Sequence, residues 1–235
     1  MKDFSIKKIL ILVTILAVPG FLYYLLQDKG KNRYRPLPFF GPKTVAHTFH
    51  SVRGKKVPDT LYHQISDFSL LDQLGDTVTW ETYKGKIVIL NLFYTSGNNF
   101  GVTYANKAIK AFEFTYGKNR ILNFVSLSID PVHDTPLVLA PYAADLTAKH
   151  RKWDFLTGDS AQVYDLANKQ LFIDALQKTE NGQKKFIYSN LFVLIDPQHR
   201  IRGYYEATSQ EALSKLDDEI KVLITEELRN NTDGR

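Results

Sequence analysis

The stretch KIVILNLFY, residues 86–94, decides the fold. It is a run of aliphatic and aromatic side chains after the initial lysine, interrupted only by Asn91. A half-exposed strand alternates apolar and polar residues, so a continuous apolar run of this length indicates a strand buried on both faces. We therefore expect a central strand in a sheet that helices cover.

The sequence on either side of this strand supports a mixed α/β domain. Upstream, residues 65–71 and 77–80 flank a Gly75-Asp76 turn and predict a β-hairpin. Downstream, apolar spacing predicts a helix over 102–116, and residues 121–129 repeat the buried-strand pattern. Asp134-Thr135-Pro136 supplies an N-cap and a proline at the first helical position, which predicts a helix to about Leu146.

The carboxyl-terminal half adds a strand pair and a long helix. Asp159-Ser160 can cap a short helix over 163–170, and residues 191–195 and 200–205 form two strands around Asp196-Pro197. Thr208 and Glu211 fit a capping box for a helix that ends near residue 228. Alternating β and α elements followed by a hairpin and a helix predict a thioredoxin-like sheet with insertions.

The amino-terminal region predicts one transmembrane helix. Residues 9–26, ILILVTILAVPGFLYYLL, carry no charge, and Tyr23-Tyr24 stand where an interfacial aromatic belt would lie. A cleaved secretory signal is the alternative, although no small-residue cleavage site follows. Basic residues on both sides leave the orientation open from charge alone. The domain organisation is 1–8 as an N-terminal segment, 9–26 as the anchor, 27–60 as a basic linker, 61–229 as the globular domain and 230–235 as a tail.

The positive charge belongs to the linker. The chain has a formal net charge of +5, but residues 28–58 hold eight basic side chains against Asp28 alone. From residue 59 onward there are 23 acidic and 19 basic side chains. A basic stretch beside a bilayer is attracted to anionic headgroups, and a solvated linker is the alternative interpretation. Nucleic-acid binding is disfavoured because the globular part has no basic-aromatic module.

The absence of cysteine excludes several kinds of chemistry. The chain has no cysteine, and Met1 is its single methionine. Disulfides, thiolate nucleophiles, cysteine-ligated metals and a lipoprotein cysteine are therefore impossible, as is thioether ligation of copper within the domain. No thiol–disulfide or peroxidase activity is expected, and no small-molecule substrate is indicated.

Five blocks together resemble the SCO/SenC family, whose members are anchored thioredoxin-fold proteins that help to build the binuclear copper centre of cytochrome c oxidase. The blocks are DFSLLDQLGDTVTW (67–80), YKGKIVILNLFYTS (83–96), SIDPVHDTPLVLAPYA (128–143), WDFLTGD (153–159) and LIDPQHRIRGYY (194–205). The third and the fifth of these blocks are specific to that family.

The resemblance also shows what this chain lacks. The family carries C-x-x-x-C after the central strand and a histidine before the L-I-D-P turn, and these three side chains bind copper. Here Gly97 and Gly101 occupy the cysteine positions and Tyr188 that of the histidine. Glycine has no side-chain donor, and a phenol ionises only near pH ~10. We therefore expect no cofactor, although copper is the family's metal.

The loop at these vacated positions can still serve other purposes. Asn98 and Asn99 are interpreted as caps of the following helix, with anion binding at that helix start as the alternative. Ser96 has no histidine near it in sequence that would make it a nucleophile. A candidate interaction patch comprises Tyr94, Ser96, Asn98, Asn99, Phe100, Tyr104 and Tyr188. An exposed aromatic patch indicates an interaction surface, whereas a buried one would be ordinary packing.

Histidines offer one weak alternative metal site. His47 and His50, three residues apart, together with His63 can supply imidazole ligands for Cu(II) or Zn(II). Unliganded surface histidines are the alternative interpretation. His133 lies in a turn where Asp130 and Asp134 are expected to brace the loop rather than bind a metal.

The resemblance implies a single-pass protein of the inner membrane with its globular domain in the periplasm. It implies a protein partner in respiratory oxidase assembly, with the chain as a paralogue that neither binds metal nor exchanges thiols. A structural accessory subunit of a respiratory membrane complex is the alternative function, and copper binding through other ligands is a further one.

Overall fold

The computed structural model describes residues 6–29, 36–52, 54–96, 100–180 and 182–233. It divides into two units, residues 1–36 and 37–235. The first contains helix α1, Ile6–Lys29, which has Pro19 inside it and exposed apolar side chains from Ile11 to Tyr24. Within the described part of the chain, no helix combines the length and the apolar character that a membrane crossing needs. The helix is confirmed, and the membrane span over 9–26 stays a prediction.

The second unit begins with two hairpins. Strands β1 (Lys43–Val52) and β2 (Lys55–Tyr62) pair antiparallel, with a register shift between Val45 and Phe49. Part of the segment interpreted as linker is therefore regular structure. The predicted hairpin around Gly75 is confirmed with shorter strands, β3 (Leu70–Leu71) and β4 (Thr77–Val78). A 3₁₀ helix, Trp80–Tyr83, leads from it into the sheet.

The remaining elements alternate along the chain. In order they are β5 (Ile87–Phe93), α2 (Phe100–Tyr116), β6 (Leu122–Ser128), α3 (Pro136–Asp145), β7 (Trp153–Leu156), α4 (Ser160–Asp165) continued by a π-helical turn (Leu166–Gln170), β8 (Ala175–Glu180), β9 (Gln183–Tyr188), β10 (Leu191–Ile195), β11 (Ile201–Glu206) and α5 (Gln210–Asp233).

The central sheet has five strands in the order β11-β10-β5-β6-β7. The strands β5, β6 and β7 are parallel, whereas β10 is antiparallel to β5 and β11 is antiparallel to β10. Every residue of β5 and of β6 is buried. The uninterrupted apolar run is explained by this position, because each face of β5 packs against its own layer.

Alternate residues of β5 enter two separate cores. Ile87, Ile89 and Phe93 pack with α2, α3 and α5 on one face. Val88, Leu90 and Leu92 pack on the other face with the β3–β4 region and the α4 segment. Asn91 is buried and accepts a hydrogen bond from the Ser126 hydroxyl at 2.8 Å, which satisfies its amide oxygen.

One predicted helix start is confirmed and one predicted capping box is wrong. At α3 the N-cap is Thr135, directly before Pro136 at the start of the helix, although Thr135 makes no side-chain capping hydrogen bond. At α5 the cap is Ser209, whose Oγ accepts from the Ala212 N–H at 3.3 Å, while Thr208 donates to Glu206. The helix also continues to Asp233, into the residues interpreted as a tail.

Candidate functional site

The predicted site lies at the carboxyl ends of β5 and β6. Because these strands are parallel, the segment after Phe93 and the segment after Ser128 meet at the same edge of the sheet. This edge of an open α/β sheet is the usual place for a functional site. The N–H of Ile129 donates to the carbonyl of Phe93 at 2.9 Å, so the two segments are joined directly.

Asp134 holds the two segments together. Its carboxylate is fully buried and accepts from the Ser128 hydroxyl at 2.5 Å and from the Thr95 N–H at 3.0 Å. It also contacts the Thr95 hydroxyl and lies 2.8 Å from Nδ1 of His133. The expectation that Asp134 braces the loop is confirmed in this sense. Thr95, two residues before Gly97, is thus fixed by contacts to this carboxylate and to its neighbour His133.

Asp130 connects the same edge to the β8–β9 hairpin. Its carboxylate is buried and lies 3.2 Å from Nζ of Lys184, a residue of β9. Its carbonyl accepts the N–H groups of His133 and Asp134, which closes the turn. Nearby, the Tyr164 hydroxyl donates to the carbonyl of Ile129 at 2.7 Å. Burial, followed by the negative charge of Asp130, raises the pKa of Tyr164, so this phenol stays neutral and remains a donor.

The aromatic residues of the predicted patch form two groups. The Tyr94 ring lies 4.8 Å from that of Phe186 and 6.0 Å, edge-on, from that of Tyr188. The rings of Phe100 and Tyr104, in the first turns of α2, are 4.3 Å apart. The first group is half-buried, while Phe100 and Tyr104 are 66% and 43% exposed. Packing therefore accounts for the Tyr94 group, and the α2 pair is the accessible one.

The vacated family positions are described only in part. Gly97, Asn98 and Asn99 lie outside the described residues, so their predicted roles stay predictions. Gly101 lies in the first turn of α2, and Tyr188 ends β9 beside Tyr94. Tyr188 thus lies beside the segment that follows β5. Ser96 is half-buried in that segment.

These residues do not fit copper in the way that the family's ligands do. Copper sites of that kind use soft thiolates with an imidazole, and the chain has no thiolate to offer. Gly101 presents no side chain, and the neutral phenol of Tyr188 is a poor donor near neutral pH. The positions that match the family's ligands therefore supply no donor set of the family's kind.

The three predicted alternative metal ligands are not brought together. His50 Nδ1 lies 2.5 Å from a carboxylate oxygen of Asp59, and His47 is exposed on β1. His63 Nε2 lies 2.9 Å from the carbonyl of Gln170, with its ring against Phe172. Each of these imidazoles therefore has different contacts. The spacing of His47 and His50 in sequence did not indicate that both lie on strand β1.

A different group of metal-type ligands does converge. Among the described residues, Asp72, Asp76 and His150 place one ligand atom each within 4.8 Å of one another. The guanidinium of Arg151 lies 3.3 Å from Asp72 and 3.7 Å from Asp76, so a cation already occupies this cluster. Burial opposes ionisation of Asp72, but hydrogen bonds from His150, Leu74 and Asp76 outweigh it and lower its pKa. No local motif marks this group, because His150 lies 78 residues after Asp72 in the chain.

The parallel β5-β6-β7 sheet, extended by an antiparallel pair and covered by helices, defines a thioredoxin-like α/β domain. Residues 58–223 match the model of the SCO1/SenC family. The chain belongs to this family, which confirms the resemblance and the fold.

Individual relatives agree with that assignment. The SCO1 protein homolog of Bacillus subtilis is 25% identical over 179 residues, which is 73% of this chain and 89% of the relative. Copper-bound ScoI of Arabidopsis thaliana is 21% identical with a TM-score of 0.56, covering 71% of this chain and 98% of that one. BsSco, a member of the Sco family of cytochrome c oxidase assembly proteins with a disulfide switch, is 22% identical with a TM-score of 0.57, covering 68% and 93%.

Proposed function

We propose that this protein takes part in the assembly of cytochrome c oxidase through protein contacts, without binding copper or exchanging thiols at the family's site. The relative BsSco is described as an oxidase assembly protein, and ScoI of Arabidopsis thaliana holds copper. This chain shares their fold but has no cysteine. A role that rests on contacts rather than on electron or metal transfer is compatible with that composition.

One observation carries this proposal: buried carboxylates hold described residues at the site edge although the family's donor side chains are missing. Asp134 fixes Thr95, and Asp130 pairs with Lys184. A buried carboxylate with several partners stabilises a loop only if those partners are present, so this framework supports a surface of defined shape. The exposed Phe100–Tyr104 pair lies at the start of the adjoining helix. Exposed aromatic side chains are favoured in protein interfaces.

Membrane attachment is part of the same proposal. The uncharged stretch 9–26 lies within helix α1, and lysines precede it. We infer that this helix anchors the protein in the inner membrane with the globular domain on the periplasmic side. The exposed basic side chains of β1 and β2, such as Lys43, Lys55 and Lys56, would favour anionic headgroups there.

Copper titration of the full-length protein in detergent tests the central claim. With a competing chelator present, the wild-type protein is expected to show no stoichiometric tight binding of Cu(I) or Cu(II). The triple variant Gly97→Cys, Gly101→Cys, Tyr188→His restores two thiolates and one imidazole and is expected to gain a one-to-one copper complex. The double cysteine variant that keeps Tyr188 is the matched control, and weaker binding is expected from it.

Two results would contradict the proposal. A tight wild-type copper complex that disappears in His50→Ala or in Tyr188→Phe would show that other ligands have replaced those of the family. Turnover of a disulfide or peroxide substrate by the wild-type protein would show that the site is enzymatic.

A further inference from the structure

A basic cavity lies at the opposite edge of the central sheet, where the parallel strands begin. Lys86 directly precedes β5, Arg120 lies two residues before β6, and Lys152 directly precedes β7. The length of β5, about 20 Å, separates this edge from the site described above. The cavity has a volume of about 500 Å³. It is lined by Thr82, Lys86, Gly117, Asn119, Arg120, Asn123, Arg151 and Lys152.

Four of the lining side chains are cations, and none of the described lining residues is acidic. Arg151 is paired with Asp72 and Asp76 outside the lining. The exposed guanidinium of Arg120, by contrast, has no carboxylate within 4.0 Å among the described residues. Among the described residues, Lys86 and Arg120 therefore bring positive charge to the lining without a contacting carboxylate, whereas Asp72, Asp76 and Asp154 surround Arg151 and the charge of Glu113 acts on Lys152.

Backbone carbonyls hold the two lysines in place. Nζ of Lys86 donates to the carbonyl of Arg120 at 2.8 Å. Nζ of Lys152 donates to the carbonyls of Asn119 and Leu122 at 2.8 and 2.5 Å. Carbonyls orient an ammonium group but bring no full negative charge to it. Ammonium groups that are positioned in advance in this way need little reordering to receive an anion.

The loop before β7 is also held in an unusual conformation. Arg151 has a φ of 62°, in the left-handed region that residues with a side chain seldom adopt. Its N–H donates to Asp154 at 2.8 Å, and its carbonyl accepts from Asn123 at 2.6 Å. This conformation brings two consecutive cationic residues, Arg151 and Lys152, to the cavity lining.

The pKa of Lys152 reflects its burial and the neighbouring charges. Burial lowers the pKa of Lys152 to about 8; the charge of Glu113 opposes this change, and that of Lys86 adds to it. An anion bound between Lys86 and Lys152 would reduce the repulsion between the two ammonium groups.

We propose that this cavity binds a ligand through a phosphate-type oxyanion. Lysine and arginine supply charge-assisted hydrogen bonds to such groups, and Asn119, Asn123 and Thr82 add neutral polar groups. A volume of about 500 Å³ lies within the range of small-molecule sites, so the cavity accommodates a phosphate ester as well as phosphate itself. Both a soluble phosphate compound and a phospholipid headgroup present this chemistry.

Calorimetric titration of the full-length protein with inorganic pyrophosphate tests the proposal. The protein is placed in nanodiscs of phosphatidylcholine, and ionic strength is kept constant. Saturable one-to-one binding is expected, and Lys86→Gln and Arg120→Gln are each expected to weaken it about tenfold. Lys110→Gln and Arg229→Gln remove the same charges from exposed positions outside the lining and are expected to change little.

A second arm distinguishes the two sources of phosphate. In nanodiscs that also contain phosphatidylglycerol, a headgroup in the cavity would compete with pyrophosphate and weaken its apparent binding, whereas unchanged binding indicates a soluble ligand. Either result supports the cavity as a phosphate site. Absence of saturable pyrophosphate binding to the wild-type protein in phosphatidylcholine would overturn it, as would equal losses in the lining and control variants. Neither outcome bears on the copper titration of the opposite edge.

Discussion

At the scale of single residues, Arg202 connects three parts of the globular unit. It is fully buried, and its guanidinium lies 3.2 Å from Asp196 and 2.9 Å from Glu226 of α5. It also donates to the carbonyl of Leu37 at 2.8 Å and lies 4.3 Å from the ring centroid of Phe39. The β10–β11 turn, the last helix and the first residues of the unit are thus tied to one side chain.

We expect Arg202→Met to lower the free energy of unfolding by about 3–5 kcal/mol, because Asp196 would stay buried without this cation. Urea denaturation followed by the fluorescence of buried Trp153 measures the change. Arg200→Met is the matched control. Arg200 contacts the same carboxylate at 2.8 Å but is partly exposed, so a smaller loss is expected. Equal losses of unfolding free energy in the two variants would show that the burial of Arg202 does not explain its contribution to stability.

Lys152 predicts a pH dependence of stability. Burial lowers its pKa in the folded protein to about 8, below the ordinary value of 10.5. Below pH 8 the residue is charged in both states, and the folded state bears the full burial penalty. Between pH 8 and 10.5 the folded protein loses this proton before the unfolded chain does, so the free energy of unfolding rises with pH. Above pH 10.5 the penalty is absent.

Denaturation of the wild-type protein and of Lys152→Gln across about pH 7 to 10 is expected to show this rise only in the wild type. Burial, and after it nearby carboxylates, raises the pKa of Tyr116 and that of Tyr205. Above the ordinary tyrosine pKa of 10.0, these two residues therefore make the free energy of unfolding fall as the pH rises. The difference between the two proteins removes that effect because both retain the tyrosines. A rise of equal slope in both would contradict the assignment to Lys152.

At the scale of secondary-structure elements, the start of α5 predicts a contrast between neighbouring residues. Ser209→Ala is expected to cost about 1 kcal/mol, because Ser209 Oγ accepts the Ala212 N–H at the helix start. Thr208→Ala is the matched control and is expected to change stability by less than about 0.5 kcal/mol, since its hydroxyl bonds to exposed Glu206. Thermal unfolding of the two variants is the measurement. A larger loss of stability from Thr208→Ala than from Ser209→Ala would contradict the assignment of Ser209 as the cap and would favour the predicted capping box.

The same scale shows what sequence patterns can and cannot predict. The strands β5, β6 and β10 were predictable because burial on both faces favours a largely apolar run, although Asn123, Ser126 and Ser128 interrupt it in β6. The strand β7 was missed because it is four residues long and contains Asp154, a buried carboxyl that the Tyr83 hydroxyl satisfies from 71 residues away. The strands β8 and β9 were missed because most of their described side chains are exposed, so no apolar periodicity marks them.

The site was predictable only in its local part. The spacing of the loop after β5 and the positions of Gly101 and Tyr188 follow from sequence alone. The contacts between Thr95 and Asp134 and between Asp130 and Lys184 do not, because they join residues 39 and 54 positions apart. Such contacts depend on the sheet topology and leave no periodic pattern in the sequence.

At the scale of the whole molecule, the exposed aromatic pair of α2 predicts a partner surface. We expect the double variant Phe100→Ala, Tyr104→Ala to reduce the amount of oxidase subunits recovered with the tagged full-length protein in mild detergent. Phe114→Ala is the matched control, because Phe114 lies on the same helix and is 93% exposed. Unchanged recovery with the double variant would show that this pair is not the contact surface.

The composition of the recovered material separates two functions. Stable, stoichiometric recovery with mature oxidase indicates a permanent subunit, whereas recovery with incomplete oxidase indicates an assembly factor. Because all three side chains are exposed, their removal is expected to change the free energy of unfolding by no more than about 0.5 kcal/mol. Loss of partner recovery would then reflect the surface rather than the fold.

The position of Arg202 also determines how the globular unit responds to tension on its amino-terminal end. Leu37 and Phe39 are held against Arg202, and the N–H of Phe40 donates to Ile201 of β11 at 2.9 Å. A force applied upstream of Leu37 therefore acts first on these contacts, before it reaches the β1–β2 hairpin. These contacts would therefore keep that hairpin in register under such a force. A shortened fragment that starts at Lys43 would lose this protection, and one that starts before Leu37 would keep it.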